Sequence, residues 1–529
     1  MLSCWAFPFL IAALAHIVDA EQIPIKLDRQ NHGEWPTSQR IAIIGAGIAG
    51  ASAAYRLGDS VRSELVVDIF EAESQVGGRV KSVPVYDGFY GSQHVETGSP
   101  VFYANDKCVQ AAIDEVGLRQ RLEPHYPRKQ RVGVWNGQSF ILRREKDLKS
   151  TTWRDFARST WRYGLSPRRL LDLVKTRLPQ YQRLAGAYET VTPNLPEALD
   201  NLGLTAAYAQ SADHYLLNNS VSLEYAKEVV QATTRAWLGH DLNELNGLAA
   251  LVAMNTAETD SIQSVIGGNQ KLIERLLKLS GAHLHLNTRA TKITRSDHGR
   301  YRLHVTSADH QDLPDGPSVA DAAEYDAIII ATPLQGARLD LDLGRFHGAT
   351  RNVPVYAERH VTHFTSPLSR RLDPSYFNVS TAHEIPDQIF TTTMGNAASE
   401  ADPDFFRIDS SLAAAGMDGC VAQSENLYKI TSATAVEDGM IATLLGHPPN
   451  SALEDLGVRW VHRQVWPHAS PKFRRNNGAA MLDNIEIAPR VFYTGLSDEI
   501  VTSLEMSCRM GQLAANLLLY PRVPDSVSF

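Results

Sequence analysis

A turn between a buried strand and a helix constrains this chain more than any other feature. The apolar run at residues 41–44 leads into Gly45-Ala46-Gly47-Ile48-Ala49-Gly50, and an alanine-rich segment follows. In a strand–turn–helix of this kind Gly45 permits the tight turn, Gly47 lets the backbone approach a pyrophosphate, and Gly50 allows close helix packing. The helix N-terminus presents free N–H groups to phosphates. The pattern predicts a dinucleotide site, although glycine-rich turns also occur for purely structural reasons.

A second strand supports the dinucleotide prediction. Residues 65–70 form another mostly apolar run, which ends in Glu71. Glu71 follows Gly50 by 21 residues (71 − 50). A carboxylate about 20 residues after the last glycine is placed to bind a ribose hydroxyl.

The residues after Glu71 indicate which dinucleotide binds. Residues 71–79 read E-A-E-S-Q-V-G-G-R, which resembles the signature of a large FAD-binding group that includes amine oxidases, phytoene desaturases and prenylcysteine oxidases. The resemblance implies that Gly77 and Gly78 let the chain cross close to the cofactor and that Arg79 lies near the diphosphate. The alternative is a surface turn with a solvated arginine. An NAD-dependent dehydrogenase does not need this second signature, so we predict FAD, held non-covalently.

Further stretches resemble motifs of the same group. They lie at residues 95–103, 265–272, 287–293, 325–334, 490–495 and 504–507. The resemblance implies that the loop at 95–103 passes over the flavin ring, that Ala290 meets the adenine, and that the last two stretches place a helix N-terminus at the flavin. Taken singly, the first could be an ordinary turn and the last an ordinary amphipathic helix. The cofactor-binding residues that the resemblance implies are Gly45, Ala46, Gly47, Ala49, Gly50, Glu71, Ala72, Gly78, Arg79, Thr97, Gly98, Ser99, Ala290, Thr332, Gly495, Glu505 and Met506.

Within this group the chain most resembles the prenylcysteine oxidases, also called prenylcysteine lyases. The stretches that point to this family are Trp466-Pro467-His468, with Pro471, and Leu504-Glu505-Met506-Ser507. The resemblance implies an FAD-dependent thioether oxidase that acts on farnesyl- or geranylgeranyl-cysteine. Hydride leaves the allylic carbon beside sulfur, water adds, and cysteine and a prenyl aldehyde are released, while oxygen takes the electrons and becomes hydrogen peroxide. The expected partners are therefore an apolar prenylated cysteine and molecular oxygen.

Two other functions are compatible with the sequence. One is an FAD-dependent oxidase of an amine or of an isoprenoid-derived small molecule in a biosynthetic pathway. The other is a binding or scaffold protein that has lost the flavin, although the intact glycines of both signatures argue against it. Amine oxidases of the group often place a lysine near flavin N5, but no lysine follows Leu334 before Lys429. We name His360, His363 and Lys429 as catalytic candidates, although a structural role is the favoured interpretation of the two histidines.

The predicted fold is α/β, a discontinuous Rossmann-type FAD-binding domain with a second, α+β substrate domain. We assign residues 38–105, 262–338 and 462–529 to the FAD-binding domain, and 106–261 and 339–461 to the substrate domain. Helical stretches near 222–238 and 242–257 are expected to form the wall of the substrate cavity.

The distribution of charge along the chain indicates which kinds of partner it can bind. A formal net charge of −8 over 529 residues argues against a general nucleic-acid binder. Residues 119–183 are nevertheless rich in arginine, with Trp153, Phe156, Trp161 and Tyr163 between the basic residues. This pattern favours either amphipathic helices on an anionic membrane surface or a solvated face of the substrate domain.

The N-terminus indicates a secretory route. Residues 1–20 contain an apolar run and end in Val18-Asp19-Ala20, an acceptable cleavage site, although an uncleaved anchor is an alternative. Sequons begin at Asn218 and Asn378. The family resemblance adds a lysosomal or vacuolar destination, with secretion as the alternative. Removal of the signal leaves three cysteines, which allow one disulfide at most. We predict no metal. The three remaining cysteines are Cys108, Cys420 and Cys508.

Overall fold

A computed structural model describes most of the chain. The described residues are 39–60, 65–86, 93–99, 101–124, 130–146, 161–186, 194–258, 262–307, 323–344, 355–393, 403–414, 424–473 and 484–520. The chain divides into two units, residues 1–38 and 39–529, and all described residues belong to the second. The predicted signal peptide, residues 1–20, lies outside the described residues.

The described residues form strands and helices of the following bounds. The strands are β1 Gln39–Ile44, β2 Leu65–Phe70, β3 Ser82–Pro84, β4 His94–Glu96, β5 Phe102–Tyr103, β6 Leu122–Pro124, β7 Gln130–Trp135, β8 Phe140–Lys146, β9 Ile262–Val265, β10 His283–His285, β11 Thr288–Arg295, β12 Tyr301–Ser307, β13 Ala323–Tyr325, β14 Ala327–Ile330, β15 Asp340–Asp342, β16 Tyr356–Pro367, β17 Gln388–Thr391, β18 Arg407–Ala414, β19 Ser424–Ser432, β20 Val461–Pro471, β21 Glu486–Ala488 and β22 Val491–Tyr493. The helices are α1 Ile48–Gly58, α2 Lys107–Glu115, α3 Ser166–Gly186, α4 Leu195–Asn201, α5 Thr205–Ala209, α6 Ala212–Asn218, α7 Leu223–Tyr225, α8 Ala232–Leu238, α9 Gly247–Glu258, α10 Gln270–Ser280, α11 Leu334–Ala337, α12 Asp438–Leu444 and α13 Leu504–Leu519. A π-helical turn, Ala226–Gln231, joins α7 to α8.

A six-stranded sheet carries the dinucleotide motif. Its strand order is β10-β2-β1-β14-β22-β21. All neighbouring strands are parallel except the edge pair β21 and β22. Every residue of β14 is buried, and so is every residue of β1 except Arg40. Central strands that are covered on both faces require apolar side chains throughout. The predicted discontinuous Rossmann-type sheet is confirmed.

The second large sheet has seven strands and is mainly antiparallel. Its order is β20-β16-β19-β18-β17-β7-β8, and only β17 and β7 run parallel. Strand β20 pairs with β16 over residues 461–471, so the predicted boundary at 461/462 is wrong and the last FAD-binding segment begins after Pro471. Strand β15 pairs with β11, which moves the boundary at 338/339 to beyond Asp342. Neither boundary is marked by a break in the apolar pattern.

The helices between residues 195 and 258 pack against one another and against α3, and α8 also packs against β17 of the seven-stranded sheet. Helix α9 is apolar along most of its length, and Leu248, Ala250 and Leu251 are buried in the same core as β1 and β14. The predicted helical stretches near 222–238 and 242–257 are confirmed, the first with the π-helical turn inside it. No helix of the described ranges is long and apolar enough to cross a membrane.

A disulfide ties the start of α2 to α13. It joins Cys108 to Cys508, 400 residues apart in sequence, and both cysteines are buried. The sequence allowed one disulfide but left the pairing open. Cys420 lies outside the described residues.

Candidate functional site

The glycine-rich turn joins β1 to α1 at the carboxyl edge of the parallel sheet. Gly45 has a φ of +104°, and a Cβ there would lie 2.8 Å from the carbonyl oxygen of Ala331. A Cβ on Gly50 would lie 2.0 Å from the carbonyl oxygen of Gly45. The packing of the turn itself therefore requires both glycines, because any side chain would displace backbone.

Gly47 differs because a Cβ there would make only ordinary van der Waals contacts. The nearest atoms to a Cβ at Gly47 would be the Gly77 carbonyl oxygen at 3.7 Å and the Gly78 Cα at 3.9 Å. Gly47 is the N-cap of α1, where no side chain caps the helix and the first turn has no acidic residue. A diphosphate fits this cradle of glycine backbones, since free N–H groups and the positive end of the helix dipole stabilise its charge.

Glu71 is fixed beside the same turn. Its Oε2 accepts a hydrogen bond from the Ala46 N–H at 2.8 Å, and its Oε1 accepts one from the Glu73 N–H at 2.9 Å. Burial raises the pKa of the Glu71 carboxyl group, and the two hydrogen bonds partly offset this rise. Each oxygen keeps a further lone pair for a ribose hydroxyl. Ala72 follows in the same loop.

Strand β11 begins next to Glu71. The Thr288 N–H donates to the Glu71 carbonyl oxygen at 2.8 Å. Ala290 is buried two residues further along this strand. The structure thus brings the predicted adenine contact to the predicted ribose contact, although the motifs lie more than two hundred residues apart.

Arg79 lies against the other end of the site. Its guanidinium donates to Asp498 Oδ2 at 2.7 Å and to the Ala469 carbonyl oxygen at 3.2 Å. The Tyr356 hydroxyl also donates to Asp498 Oδ2, at 2.9 Å. Although burial acts in the opposite direction, the charge of Asp498 holds the pKa of Arg79 above its usual value. Arg79 is therefore a fixed cation next to Gly78, and its place beside the diphosphate stays a prediction.

The loop at residues 97–99 packs directly on the Arg79 segment. A Cβ on Gly98 would lie 2.0 Å from the Arg79 carbonyl oxygen, and the Ser99 N–H donates to the same oxygen at 2.9 Å. The indole N–H of Trp466 donates to the Thr97 carbonyl oxygen at 2.7 Å. Only a glycine lets this loop lie flat between an arginine segment and an indole.

Thr332 and Gly495 also come to the carboxyl edge of the sheet. A Cβ on Gly45 would lie 3.4 Å from the Thr332 Cβ. Strands β14 and β22 are parallel and end side by side, with Ile330 paired to Tyr493, so Gly495 follows at the same edge. Ligands of open α/β sheets bind at this edge.

The start of α13 is engaged within the protein. Both carboxylate oxygens of Glu505 accept backbone N–H groups of α2, from Cys108 at 2.9 Å and from Val109 at 3.0 Å. The Ser503 hydroxyl accepts the Met506 N–H at 3.2 Å. The sequence predicts that Glu505 binds the cofactor. In the structure its carboxylate caps α2 instead, so the prediction must be corrected for the side chain. Helix α13 instead reaches the site by packing on α1, since a Cβ on Gly511 would lie 2.0 Å from the Ala49 carbonyl oxygen.

The three catalytic candidates fall into two places. His363 and Lys429 are cross-strand neighbours on β16 and β19, whereas His360 is three residues from His363 and therefore on the opposite face of the strand. The Nε2 of His360 lies 2.9 Å from Glu358 Oε1, which is consistent with a structural role. The structure separates His360 from the other two.

Lys429 and Glu96 form a polar contact under the 97–99 loop. The Lys429 ammonium donates to the Glu96 carbonyl oxygen at 2.8 Å. Burial lowers the pKa of Lys429 to about 8 and raises the pKa of Glu96 to about 7. The Oε1 of Glu96 accepts the Asn269 N–H at 2.7 Å, while its buried Oε2 has no hydrogen-bond partner among the described residues. Two groups that titrate near neutral pH thus adjoin the predicted flavin loop, where proton transfer is useful.

Sequence reasoning missed three functional positions. Asp498, Tyr356 and Trp466 hold Arg79 and the 97–99 loop in place. Trp466 belongs to a stretch that resembles the family, but the sequence alone assigns it no role. Asp498 follows Gly495 by three residues, a spacing that could have marked it, whereas nothing near Tyr356 distinguishes it from other strand tyrosines.

A small cavity adjoins Asp498. It measures about 60 Å³ and is lined by residues that include His240, Asn246, Ser470 and Ile500. Asn246, just before α9, and Ala249 within α9 contribute to its lining. Its volume is well below the roughly 300–1,000 Å³ of typical ligand sites, so it holds water-sized groups. That residues 242–257 form the wall of a substrate cavity stays a prediction.

Two models of known protein families match the chain. A model of the prenylcysteine lyase family matches residues 147–526, and a model of NAD(P)-binding Rossmann-like domains matches residues 43–116.

Individual relatives are distant. The chain is 28% identical to prenylcysteine oxidase 1-like of Bos taurus, over 56% of each chain. It is 24% identical to farnesylcysteine lyase of Arabidopsis thaliana, over 73% of this chain and 74% of that one, and 23% identical to prenylcysteine oxidase 1 of Bos taurus, over 92% and 89%. The chain thus spans little more than half of the first of these relatives.

Solved structures share the fold. A CLA-producing fatty acid isomerase from P. acnes superposes with a TM-score of 0.58 at 15% identity, covering 92% of this chain and all of the other. A putrescine oxidase variant gives a TM-score of 0.55 at 16% identity with the same coverage.

Proposed function

Because the chain belongs to the prenylcysteine lyase family, we propose that it is an oxidase that cleaves prenyl-L-cysteine. Its cofactor is FAD, as the sequence predicted. The proposed reaction consumes prenylcysteine, oxygen and water and yields a prenyl aldehyde, free cysteine and hydrogen peroxide. The bound flavin supplies the chemistry by accepting hydride from the allylic carbon and passing two electrons to oxygen.

The observation that carries the proposal is the family match over residues 147–526, and the position of Trp466 supports it. Trp466, from the Trp466-Pro467-His468 stretch, donates its indole N–H to Thr97 on the predicted flavin loop. His468 packs near Gly336 and in a T-shaped contact with Tyr356, with ring centroids 5.9 Å apart. One residue of the stretch that resembles this family, Trp466, therefore adjoins the predicted flavin loop.

The residues of the chain have separate tasks in this reaction. The glycine cradle and α1 bind the diphosphate, and Glu71 binds ribose. Glu96 and Lys429 are positioned to accept or return the proton that water releases when it adds to the oxidised carbon, because their pKa values of about 7 and about 8 flank neutrality. The hydride transfer itself requires no protein base, in agreement with the separation of His360 from the other candidates.

Oxygen consumption with product analysis tests the activity. The expected result is that farnesylcysteine yields equal amounts of aldehyde, cysteine thiol and peroxide. The matched control is S-dodecylcysteine, which keeps the thioether and the apolar chain but lacks the allylic carbon, and it should give no aldehyde. Oxidation of an amine instead of farnesylcysteine would contradict the proposal and favour the amine oxidase alternative.

We also propose that the protein follows the secretory route to a lysosome or vacuole or to the exterior. The sequon residues Asn218 and Asn378 are both exposed, and the Cys108–Cys508 disulfide suits an oxidising compartment. Endoglycosidase treatment of protein from a eukaryotic host should lower its apparent mass, and the double variant Asn218→Gln, Asn378→Gln should show no such shift. An unmodified wild-type chain would count against this route.

A further inference from the structure

An exposed apolar patch lies on the helical part of the molecule. Trp161 is 90% exposed, Leu165 57% and Leu171 48%. Leu217 and Leu223 are also exposed. We call these five side chains the interfacial patch. The clustering calls for an explanation, since contiguous exposed apolar surface marks interaction sites.

Hydrogen bonds bring the two segments of the patch side by side. The hydroxyl groups of Ser166 and Ser222 lie 3.0 Å apart. Arg169 donates to the Ser220 carbonyl oxygen at 2.6 Å. Leu165 precedes Ser166 and Leu223 follows Ser222, so these two exposed leucines lie on neighbouring segments.

The same surface is basic. Residues 161–186 contain six arginines and lysines and one acidic residue, Asp172, in a chain whose net charge is −8. On α3 the inward side chains Leu170, Val174 and Tyr181 are buried. The outward positions 168, 171 and 175 follow helical spacing and alternate basic, apolar, basic.

The negative charges near the patch do not cancel this excess. Glu224 and Glu228 both lie close to Arg162, with N···O distances of 3.7 and 2.7 Å, and so offset that one arginine. Arg168, Lys175 and Arg183 remain exposed on α3, with Asp172 as the acidic residue between them. Part of the basic stretch predicted from the sequence, including Trp153, Arg154 and Phe156, lies outside the described residues.

We propose that the interfacial patch docks the protein on anionic lipid membranes. Tryptophan favours the membrane–water boundary because its ring is apolar and its N–H is polar. Arginine and lysine beside exposed leucines match a surface of acyl chains below anionic headgroups. The inference goes beyond the oxidase activity and does not depend on it.

Vesicle co-sedimentation tests this inference without any substrate. The expected result is binding of the FAD-loaded protein to vesicles with about 30 mol% phosphatidylserine in phosphatidylcholine and little binding to phosphatidylcholine alone. Salt near 0.5 M should release the protein, because the Debye length falls to a few ångströms.

Variants locate the binding surface. Trp161→Ser should weaken binding roughly tenfold, and the double reversal Arg168→Glu, Lys175→Glu should weaken it roughly thirtyfold or more, at about fivefold for each lost charge. The controls Leu412→Ser and Lys278→Glu change exposed residues elsewhere and should leave binding unchanged. All these positions are on the surface, so the fold is retained, which circular dichroism verifies.

Three results would overturn the inference. They are the absence of binding to anionic vesicles, equal binding to both vesicle types, and binding that is insensitive to Trp161 and to the charge reversal. A change of oligomeric state in the Trp161→Ser variant, without a loss of vesicle binding, would identify the patch as a protein interface instead. None of these outcomes bears on the oxidase reaction.

Discussion

Gly47 and Gly50 stand three residues apart in one turn but are glycine for different reasons. Gly50 is required because a Cβ would meet the Gly45 carbonyl oxygen at 2.0 Å, whereas a Cβ at Gly47 would come no closer than 3.7 Å to its neighbours, an ordinary van der Waals contact. Gly47 also has an extended backbone, with φ −80° and ψ −172°, that any residue can adopt. The glycine at position 47 is therefore explained by a ligand and not by the fold.

A pair of substitutions separates these two reasons. Gly47→Val should fold normally and fail to retain FAD, because the branched side chain occupies the diphosphate cradle. Gly50→Ala should lower the free energy of unfolding by at least about 1–3 kcal/mol, since the backbone must move. Circular dichroism, thermal unfolding and flavin absorbance after gel filtration measure both effects. Full flavin occupancy in Gly47→Val would place the cofactor elsewhere.

Glu96 gives the protein a predictable dependence on pH. Burial raises its pKa from 4.5 to about 7, so its contribution to stability is complete below 4.5 and is lost as the pH rises through about 7. Lys429 has the opposite dependence on pH. Its pKa is lowered to about 8, so its contribution to stability is lost as the pH falls through that value. Between roughly pH 5 and pH 7 the Glu96 effect is therefore the one that changes.

Comparison with Glu96→Gln isolates that effect. The stability of the wild type relative to the variant should fall by about 1–3 kcal/mol between roughly pH 5 and pH 7.5, because glutamine does not ionise. Denaturant unfolding at the two pH values measures the difference. A constant difference across this range would show that Glu96 titrates at its ordinary pKa.

At the scale of single elements, the sequence was most informative where an element is buried on both faces. Strands β1 and β14 are unbroken apolar runs, and their place in a parallel sheet follows from that pattern. Strand β20 alternates between exposed and half-buried residues, so nothing in its pattern shows which sheet it joins. The boundary error at 461/462 has this cause.

Helix α13 shows a second limit of the sequence. Its similarity to a flavin-contacting helix was visible, but the destination of the Glu505 side chain was not. That carboxylate accepts two N–H groups of α2, about 400 residues earlier in the chain. Contacts of this kind arise from tertiary packing, and the sequence around Glu505 does not show which backbone groups its carboxylate will contact.

The Cys108–Cys508 disulfide should make a large contribution to stability. It closes a loop of about 400 residues, so its removal in the Cys108→Ala, Cys508→Ala variant should lower the free energy of unfolding by about 2–5 kcal/mol. Denaturant unfolding of the non-reduced proteins measures this. Cys420→Ala is the matched control and should retain the disulfide, and peptide mapping that finds Cys420 bonded to either partner would contradict the assignment.

At the scale of the whole molecule, the fold and the cofactor were predictable and the substrate pocket was not. The cofactor motifs are local glycine and carboxylate patterns with a fixed chemical purpose, and the six-stranded sheet collects them at one edge. A pocket for an isoprenoid chain needs only apolar side chains, which are indistinguishable in sequence from any core. The family match therefore carries the substrate assignment, and the geometry carries the cofactor site.

Anaerobic titration of the yellow holoenzyme tests the central claim most directly. Farnesylcysteine should bleach the visible absorbance of the flavin without oxygen, and admitting oxygen should restore the colour and release peroxide. S-dodecylcysteine and simple amines should leave the flavin oxidised. The account would be contradicted if farnesylcysteine left the absorbance unchanged while an amine or another isoprenoid bleached it.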